Sequence, residues 1–576
     1  MFLGISSYNH ESAVALINRS GILIDYCKEE SLSRIKGDKS FPKRALRRII
    51  EINHLNLDNI CNIIFYEKPL SAFLFPLKTA SSYLPKSLSF IAHQLRNFNN
   101  SSISCFTDLA KFSPGLEKKL TYIDHHLAHT LTALPYSKRQ EDLCSIVVDG
   151  FGDRSTASIS YIKNMHCIKE LWSSDYPHSL GLFFSSITDF LGFNVNEGEY
   201  KVMGLSSFGN SNSEYAKLVY KLINWDKTKN NIVVDLDYFS YHISITNSFN
   251  DKLIELLGEP RNPFKKLLPA DENFQKYADI ARGAQDVTNF ILSEIFAHAY
   301  KLTNTNSFLF SGGVALNSAS LNTLANLHFT KDIIVPPSPG DCGAAIGSAI
   351  YAFIKSNPTN SIIEKPSLFP SKFIIENEKE KVKNIINDNF SIISKDKLES
   401  LKICSELILE GQVLGLLLSN SETGPRALGN RSLICNGLNL EAVTYLNTVL
   451  KNRSPFRPTA PAMKINAAEK YYELKTELYQ SYFSMNATCN CLHPKAINFP
   501  ITHIDGTARI QIVENGSILY DLLEILQPKG IEILANSSLN LSGDPTCFDL
   551  IDGLMFCSLS PLEYLLTDIG LIKKLV

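Results

Sequence analysis

Apolar and polar residues come in short blocks over the first thirty positions. Phe2–Ser6 is mostly apolar, Tyr8-Asn9-His10-Glu11 interrupts it, and Ala13–Ile17 is apolar again. Residues 18–21 then turn, and 22–26 resume the pattern. Blocks of about five apolar residues bounded by turn formers predict a strand meander. A second meander begins near Cys144, passes through Asp149-Gly150-Phe151-Gly152-Asp153 and continues into 155–161. Two strand–turn–strand openings predict an internally duplicated α/β domain with a cleft between its halves. Apolar residues at helical spacing place helices over 280–302 and, more briefly, 321–327. Residues 308–310 and 333–335 read as strands that end in glycine-rich turns, the first at Gly312-Gly313 and the second at 336–345.

The composition shifts to Asn, Lys, Glu, Ser and Pro between about Lys355 and Leu398. That shift predicts a linker at 356–398 with one charged helix, separating a domain at 1–355 from one at 399–576. The second domain opens on a strand within 410–418. At 576 residues the chain is too long for one core. A net charge of −2 supplies no global field for nucleic acid, so net charge does not indicate such a partner, while a local basic groove stays open. Twelve cysteines scattered without a disulfide-like framework suit a reducing compartment. The first residues lack the basic region of a signal peptide. No apolar stretch approaches the roughly 18–20 residues a membrane span needs. A cytoplasmic protein without a membrane partner is the expectation.

Three kinds of site are suggested. In the stretch at 122–129, His125 and His129 stand four apart, on one face of a helix, where both imidazoles can converge on a divalent metal. The same spacing also suits histidines hydrogen-bonded in a core. Asp149 ends a buried-strand run, and Gly150 and Gly152 let a ligand approach the backbone. Asp341, after the strand at 333–335, brings a further carboxylate to the same sheet edge. Neither a Walker phosphate loop nor a convincing Rossmann fingerprint occurs. Gly312 and Gly313 instead offer close backbone approach to an adenosine, with Asn317 to bond its edge. The second domain holds Gly424-Pro425-Arg426, Lys451-Asn452-Arg453, Thr507-Ala508-Arg509 and Asn536-Ser537-Ser538. Arginine and lysine beside small, turn-forming residues suit phosphate recognition. Cys489-Asn490-Cys491-Leu492-His493 resembles a metal clip, but without a second Cys pair it is weak evidence for zinc.

These motifs occur in the order of one known family. His10-Glu11-Ser12-Ala13, Tyr66-Glu67-Lys68-Pro69, His125-His126-Leu127-Ala128-His129 and Asp149-Gly150-Phe151-Gly152-Asp153 carry the resemblance, with 197–205, 311–317 and the second-domain motifs. The chain resembles the ATP-dependent O-carbamoyltransferases, the family of nodulation-factor, cephalosporin and aminoglycoside carbamoyltransferases.

The resemblance implies an N-terminal domain similar to the threonylcarbamoyl-transferase fold, a duplicated ATPase-like α/β architecture, and a YrdC-like α/β C-terminal domain. It implies that the C-terminal domain makes carbamoyl adenylate from carbamoyl phosphate and ATP, and that the N-terminal domain passes the carbamoyl group to a hydroxyl. His125, His129, Asp149 and Asp341 correspond to metal ligands, with Fe2+ the implied ion and Mg2+ accompanying ATP. His10 falls on the catalytic base, and Gly150, Lys201, Gly312, Gly313 and Asn317 on nucleotide contacts. Arg426, Lys451, Arg509 and Ser538 fall on carbamoyl phosphate and adenylate positions. The acceptor is a small molecule, glycan or nucleotide bearing a hydroxyl, and a homodimer is compatible with the family.

Two departures lie in the second domain: Ser419-Asn420-Ser421-Glu422-Thr423 keeps only Glu422 of the family's usual run, and Asn536-Ser537-Ser538-Leu539-Asn540 differs at two positions. The alternatives are a non-catalytic nucleotide-binding regulatory relative, or a carbamoyltransferase acting on a hydroxymethylated nucleotide or DNA.

Overall fold

A computed structural model describes residues 1–98, 101–137, 142–163, 167–358, 363–372, 389–454 and 456–575. The chain divides into two compact units, one of 1–29 with 37–366, the other of 30–36 with 367–576.

The first unit contains β1 (Phe2–Ser6), β2 (Ala13–Ile17), β3 (Leu23–Lys28), β4 (Asn62–Phe65) and β5 (Leu120–Tyr122), then β6 (Leu143–Gly152), β7 (Ser155–Lys163) and β8 (Cys167–Asp175). A two-stranded hairpin of β9 (Ile223–Asp226) and β10 (Asn231–Val234) precedes β11 (Ser307–Ser311) and β12 (Asp332–Ile334). Its two large sheets run β3-β2-β1-β4-β5 and β8-β7-β6-β11-β12. In each, the first strand pairs antiparallel with the second and the second with the third. The first is also parallel to the fourth, and the fourth to the fifth. One topology therefore occurs twice, the duplication anticipated from the two meanders. Every residue of β1, β2 and β11 is buried, which explains their continuous apolar runs.

After its fifth strand each repeat enters a helix: His125–Ala133 after β5, Asp341–Ser356 after β12. The helix Asp341–Ser356 packs on β1, β2 and the helix His125–Ala133. Missing side chains permit that approach. A Cβ on Gly4 would overlap the Ala345 carbonyl oxygen, and one on Gly347 would overlap that of Ala128. The glycine-rich turn expected at 336–345 gives way to the helix at Asp341, on which Gly343 and Gly347 are packing positions. The helix placed at 280–302 lies inside Phe274–Thr303, and that at 321–327 overlaps Ser318–Ala325.

In the second unit eight strands form one mixed sheet. Its spatial order is Phe390–Ser394, Gly570–Lys574, Tyr564–Thr567, Leu414–Leu417, Arg431–Asn436, Ile533–Ser538, Ala460–Met463 and Gln511–Ile512. Helices Lys397–Leu409 and Ile518–Leu526 contribute Leu401, Ile408, Leu519 and Leu523 to its core. The boundary differs from the expected linker: Phe390–Ser394, read as part of 356–398, pairs antiparallel with Gly570–Lys574 as an edge strand. The charged helix expected in that linker falls largely on 373–388, outside the described residues. Residues 30–36 belong to the second unit through Arg34, which pairs with Asp552 at 2.9 Å and donates to the Thr546 and Pro545 carbonyls.

Candidate metal centre

The helix carrying both histidines starts at a doubly capped end. Asp124 accepts from the Leu127 amide at 3.4 Å, and Asp153 Oδ2 accepts from the His125 amide at 2.9 Å. Asp153 Oδ1 accepts from the Lys68 amide at 2.7 Å, so one buried carboxylate ties the helix start to the turn after β4. Asp153 has φ +54, a left-handed conformation that Asp tolerates better than most residues. Asp153→Asn keeps a single acceptor oxygen and turns an amide group toward the other backbone donor. It is expected to lose about 1–3 kcal/mol in denaturant unfolding; an unchanged midpoint would refute the clamp.

From that start the helix aims His125 and His129 into a buried space, their Nε2 atoms 3.1 Å apart. Asp149 Oδ2 lies 3.0 Å from His129 Nε2 and 3.4 Å from His125 Nε2. Asp341 Oδ1 lies 3.4 Å and 3.7 Å from the same atoms. All four donor atoms fall within 4.8 Å of one another. The other Asp149 oxygen accepts from the Gly150 amide at 2.7 Å, which orients the carboxylate. A Cβ on Gly152 would overlap the His125 ring, and one on Gly313 would stand 3.0 Å from Asp149 Oδ1. Glycine at these positions keeps the cradle open.

Electrostatics distinguishes the three histidines. Burial works against charge on His125, but the Asp149 hydrogen bond and the Asp341 and Asp149 carboxylates outweigh it and push its pKa up to about 10. His129 moves up under the same opposition, through hydrogen bonds to Asp149 and Asp341. Burial alone would raise Asp149; its two histidine partners reverse this and hold it well below the usual range. His126, on another face, contacts Ser158 Oγ at 2.8 Å, and burial with its two histidine neighbours pushes it down to about 3. The site thus concentrates negative charge against two convergent imidazoles. Two nitrogens and two carboxylate oxygens without thiolate suit a first-row divalent ion such as ferrous iron. The four residues have the donor chemistry to hold a divalent ion.

Other site residues fall into place differently. His10 is half-buried in the turn after β1. Its neighbours are anchored: Tyr8 donates to Asp108 at 2.8 Å and Asn9 to Glu67 at 2.7 Å. Glu67, which the sequence shows only as part of a motif, is fully buried, and burial lifts its pKa to about 7. The Tyr66 ring packs 5.1 Å from that of His125. Gly312, with φ +91, passes so close to β6 that a Cβ would overlap the Val148 carbonyl. Gly150, Gly312 and Gly313 therefore lie beside Asp149. Asn317 caps the helix Ser318–Ala325 and pairs reciprocally with Gln285 at 3.1 and 3.2 Å, so its amide faces a network within the protein. Lys201, on the helix Glu199–Ser206, stands 5.5 Å over the Phe193 ring.

Arg426, Lys451, Arg509 and Ser538 all belong to the second unit. Lys451 is buried and donates to the Ser538 carbonyl at 2.8 Å and to Asn540. Burial, then Arg453 and Arg457, depress its pKa well below that of a free lysine. Two further residues, Glu422 and Arg431, organise this region. Glu422 Oε1 accepts from the amides of Leu428, Asn430 and Arg431 at 2.9–3.1 Å, closing the loop that carries Arg426. Arg431, fully buried, donates to the carbonyls of Phe548, Leu418 and Asn430. Cys489 donates to the Ala508 carbonyl and Cys491 contacts Thr502; among the described residues the only metal-type cluster is the one at His125.

Among the described residues no helix is long and apolar enough to cross a membrane. The family model for the carbamoyltransferase N-terminus matches residues 1–350, and that for the carbamoyltransferase C-terminus matches 405–574. The chain is 28% identical to the uncharacterized protein sll1178 of Synechocystis sp., over 99% of this chain and 96% of that one. It is 26% identical to nodulation protein NolNO of Sinorhizobium fredii, over 99% and 80%. It is 27% identical to the 3'-hydroxymethylcephem-O-carbamoyltransferase of Streptomyces clavuligerus, over 46% and 49%. With both family models matched in order along nearly its whole length, the chain belongs to the carbamoyltransferase family.

Proposed function

We propose that this carbamoyltransferase works in two stages on two sites, forming carbamoyl adenylate in the second unit and transferring the carbamoyl group to an acceptor hydroxyl in the first. The observation that carries this reading is the segregation of chemistry: two imidazoles and two carboxylates converge in one unit, while Arg426, Lys451, Arg509 and Ser538 all lie in the other.

In the first stage carbamoyl phosphate and ATP give the adenylate. The adenylate keeps only the phosphate of AMP, so water first cleaves carbamoyl phosphate to carbamate and inorganic phosphate. The resulting carbamate oxygen attacks the α-phosphorus of ATP and expels pyrophosphate. Arg426 and Arg509 hold phosphate or carboxylate oxygens with bidentate forks. We assign this unit a YrdC-like role on the strength of those positions.

In the second stage the acceptor oxygen bonds to the carbamoyl carbon and AMP leaves. His10 takes the hydroxyl proton, a role suited to imidazole near neutral pH. His125, His129, Asp149 and Asp341 would hold the divalent ion, which we take to be ferrous iron; when bound it supplies Lewis-acid polarisation. The Gly312 amide is held by the Pro339 carbonyl at 2.9 Å, and the Gly313 amide beside Asp149 stabilises charge developing on the adenylate. The duplicated unit is read as an ATPase-like nucleotide holder, with Mg2+ accompanying ATP. By analogy with the relative named for a hydroxymethylcephem, the acceptor is a small molecule or glycan with a free hydroxyl. Cytoplasmic action follows from the supply of ATP.

The test is ATP–pyrophosphate exchange. Exchange is expected only when carbamoyl phosphate is present, and Arg509→Lys is expected to lower it roughly 10- to 150-fold, since lysine keeps the charge and loses the fork. Exchange independent of carbamoyl phosphate, or near-normal exchange in the variant, would overturn the first stage.

A further inference from the structure

Between β4 and β5 the chain inserts the helices Pro69–Ser81, Leu88–Arg96 and Cys105–Phe112. Leu70, Leu74, Leu84, Leu88 and Leu95 each expose more than half of their surface, and Phe98 exposes 40%. Leu70 and Leu74 stand one turn apart and Leu88 and Leu95 two, so each helix carries an outward apolar stripe. The same segment is chemically one-sided. No Asp or Glu occurs between Glu67 and Asp108, whereas Lys68, Lys78, Lys86 and Arg96 all lie there and are exposed. The chain as a whole balances 58 acidic against 56 basic residues. Here the acidic sign of charge is missing where leucines face outward.

An apolar patch of this kind marks an interaction surface. A second copy related by a two-fold axis would set this patch against itself, cation facing cation. An anionic surface with an apolar interior satisfies both features: leucines enter the acyl boundary while lysine and arginine meet phosphates. We propose that the insertion at 68–107 docks the first unit on an anionic phospholipid surface. Interfacial docking needs no spanning helix, so the expectation of no membrane partner, drawn from the lack of a span, does not reach this mode.

The insertion is tied to the site at both ends. Its first residue, Lys68, donates its amide to Asp153, which also holds the His125 amide; past its far end, Asp108 accepts from Tyr8 in the His10 turn. Combined with the transfer reading above, on which this step alone rests, the acceptor hydroxyl is one presented at that surface.

Docking is tested without turnover, so its failure is separable from failure of the transfer reading. The full chain is sedimented with vesicles of phosphatidylcholine alone and of phosphatidylcholine mixed with phosphatidylglycerol. Binding is expected to the mixed vesicles only, to weaken with added salt, and to fall roughly fivefold for each cation removed in Lys78→Gln and Arg96→Gln. Leu70→Asp with Leu74→Asp is expected to abolish it. Both pairs are exposed, and unchanged thermal unfolding verifies their fold. No sedimentation with mixed vesicles would overturn the proposal, as would equal binding to neutral ones. A leucine variant that converts a dimer to a monomer, without vesicle binding by the parent, would instead assign the patch to self-association and also overturn it.

Discussion

His129→Ala is expected to lose the bound metal and carbamoyl transfer together, while ATP–pyrophosphate exchange continues at the wild-type rate. His129 Nε2 meets the other three donors at 3.1, 3.0 and 3.4 Å, so its loss removes a donor that stands close to every other. The remaining carboxylates stay buried against His125 alone. Disturbing only an outer-shell partner of a metal ligand costs about 10- to 100-fold in affinity, and removing a ligand is expected to exceed that. Metal content after gel filtration and thermal unfolding, measured on the same sample, separate loss of the ion from loss of the fold. If exchange fell alongside transfer in a folded variant, the division into two sites would fail.

Gly347→Ala, a single added methyl group, is expected to be nearly as damaging to the metal centre. Its Cβ would enter the Ala128 carbonyl oxygen, a backbone atom that cannot swing aside. Ala128 lies between His125 and His129, and Gly347 lies on the helix that begins at Asp341, so forced separation of the helices is delivered to donors on both. Overpacking of this type costs about 1–3 kcal/mol. A lower denaturation midpoint and a weaker metal titration are expected in the same variant. Normal values for both would mean that the two helices tolerate a wider spacing than their glycines suggest.

How much of this was legible in the sequence depended on distance along the chain. The meanders were visible because fully buried strands leave unbroken apolar blocks, as in Phe2–Ser6 and Ala13–Ile17. The pair His125 and His129 was visible because a helix makes residues four apart neighbours. Glu67 and Asp153 were not. Their importance arises from the parallel pairing of β1 with β4 and from a carboxylate reaching two distant amides, neither of which leaves a local periodicity. Phe390–Ser394 was hidden for a similar reason: its neighbours look like a linker, and its partner strand lies at the other end of the unit. Glu422 stood in plain view within its motif, but its role in closing the loop rests on amides as far on as Arg431.

The repeated topology of the first unit bears on how such a centre can arise. His125 and Asp341 occupy equivalent places, each the first residue of the helix that follows the fifth strand of its repeat. Two identical, unlinked copies of one repeat, meeting about a dyad, would be bound to present the same side chain from both sides: imidazole opposite imidazole, or carboxylate opposite carboxylate. Covalent fusion lifts that restriction. Each half can then drift independently, and a histidine at one position facing an aspartate at its equivalent is an outcome that symmetry forbids and tandem linkage allows.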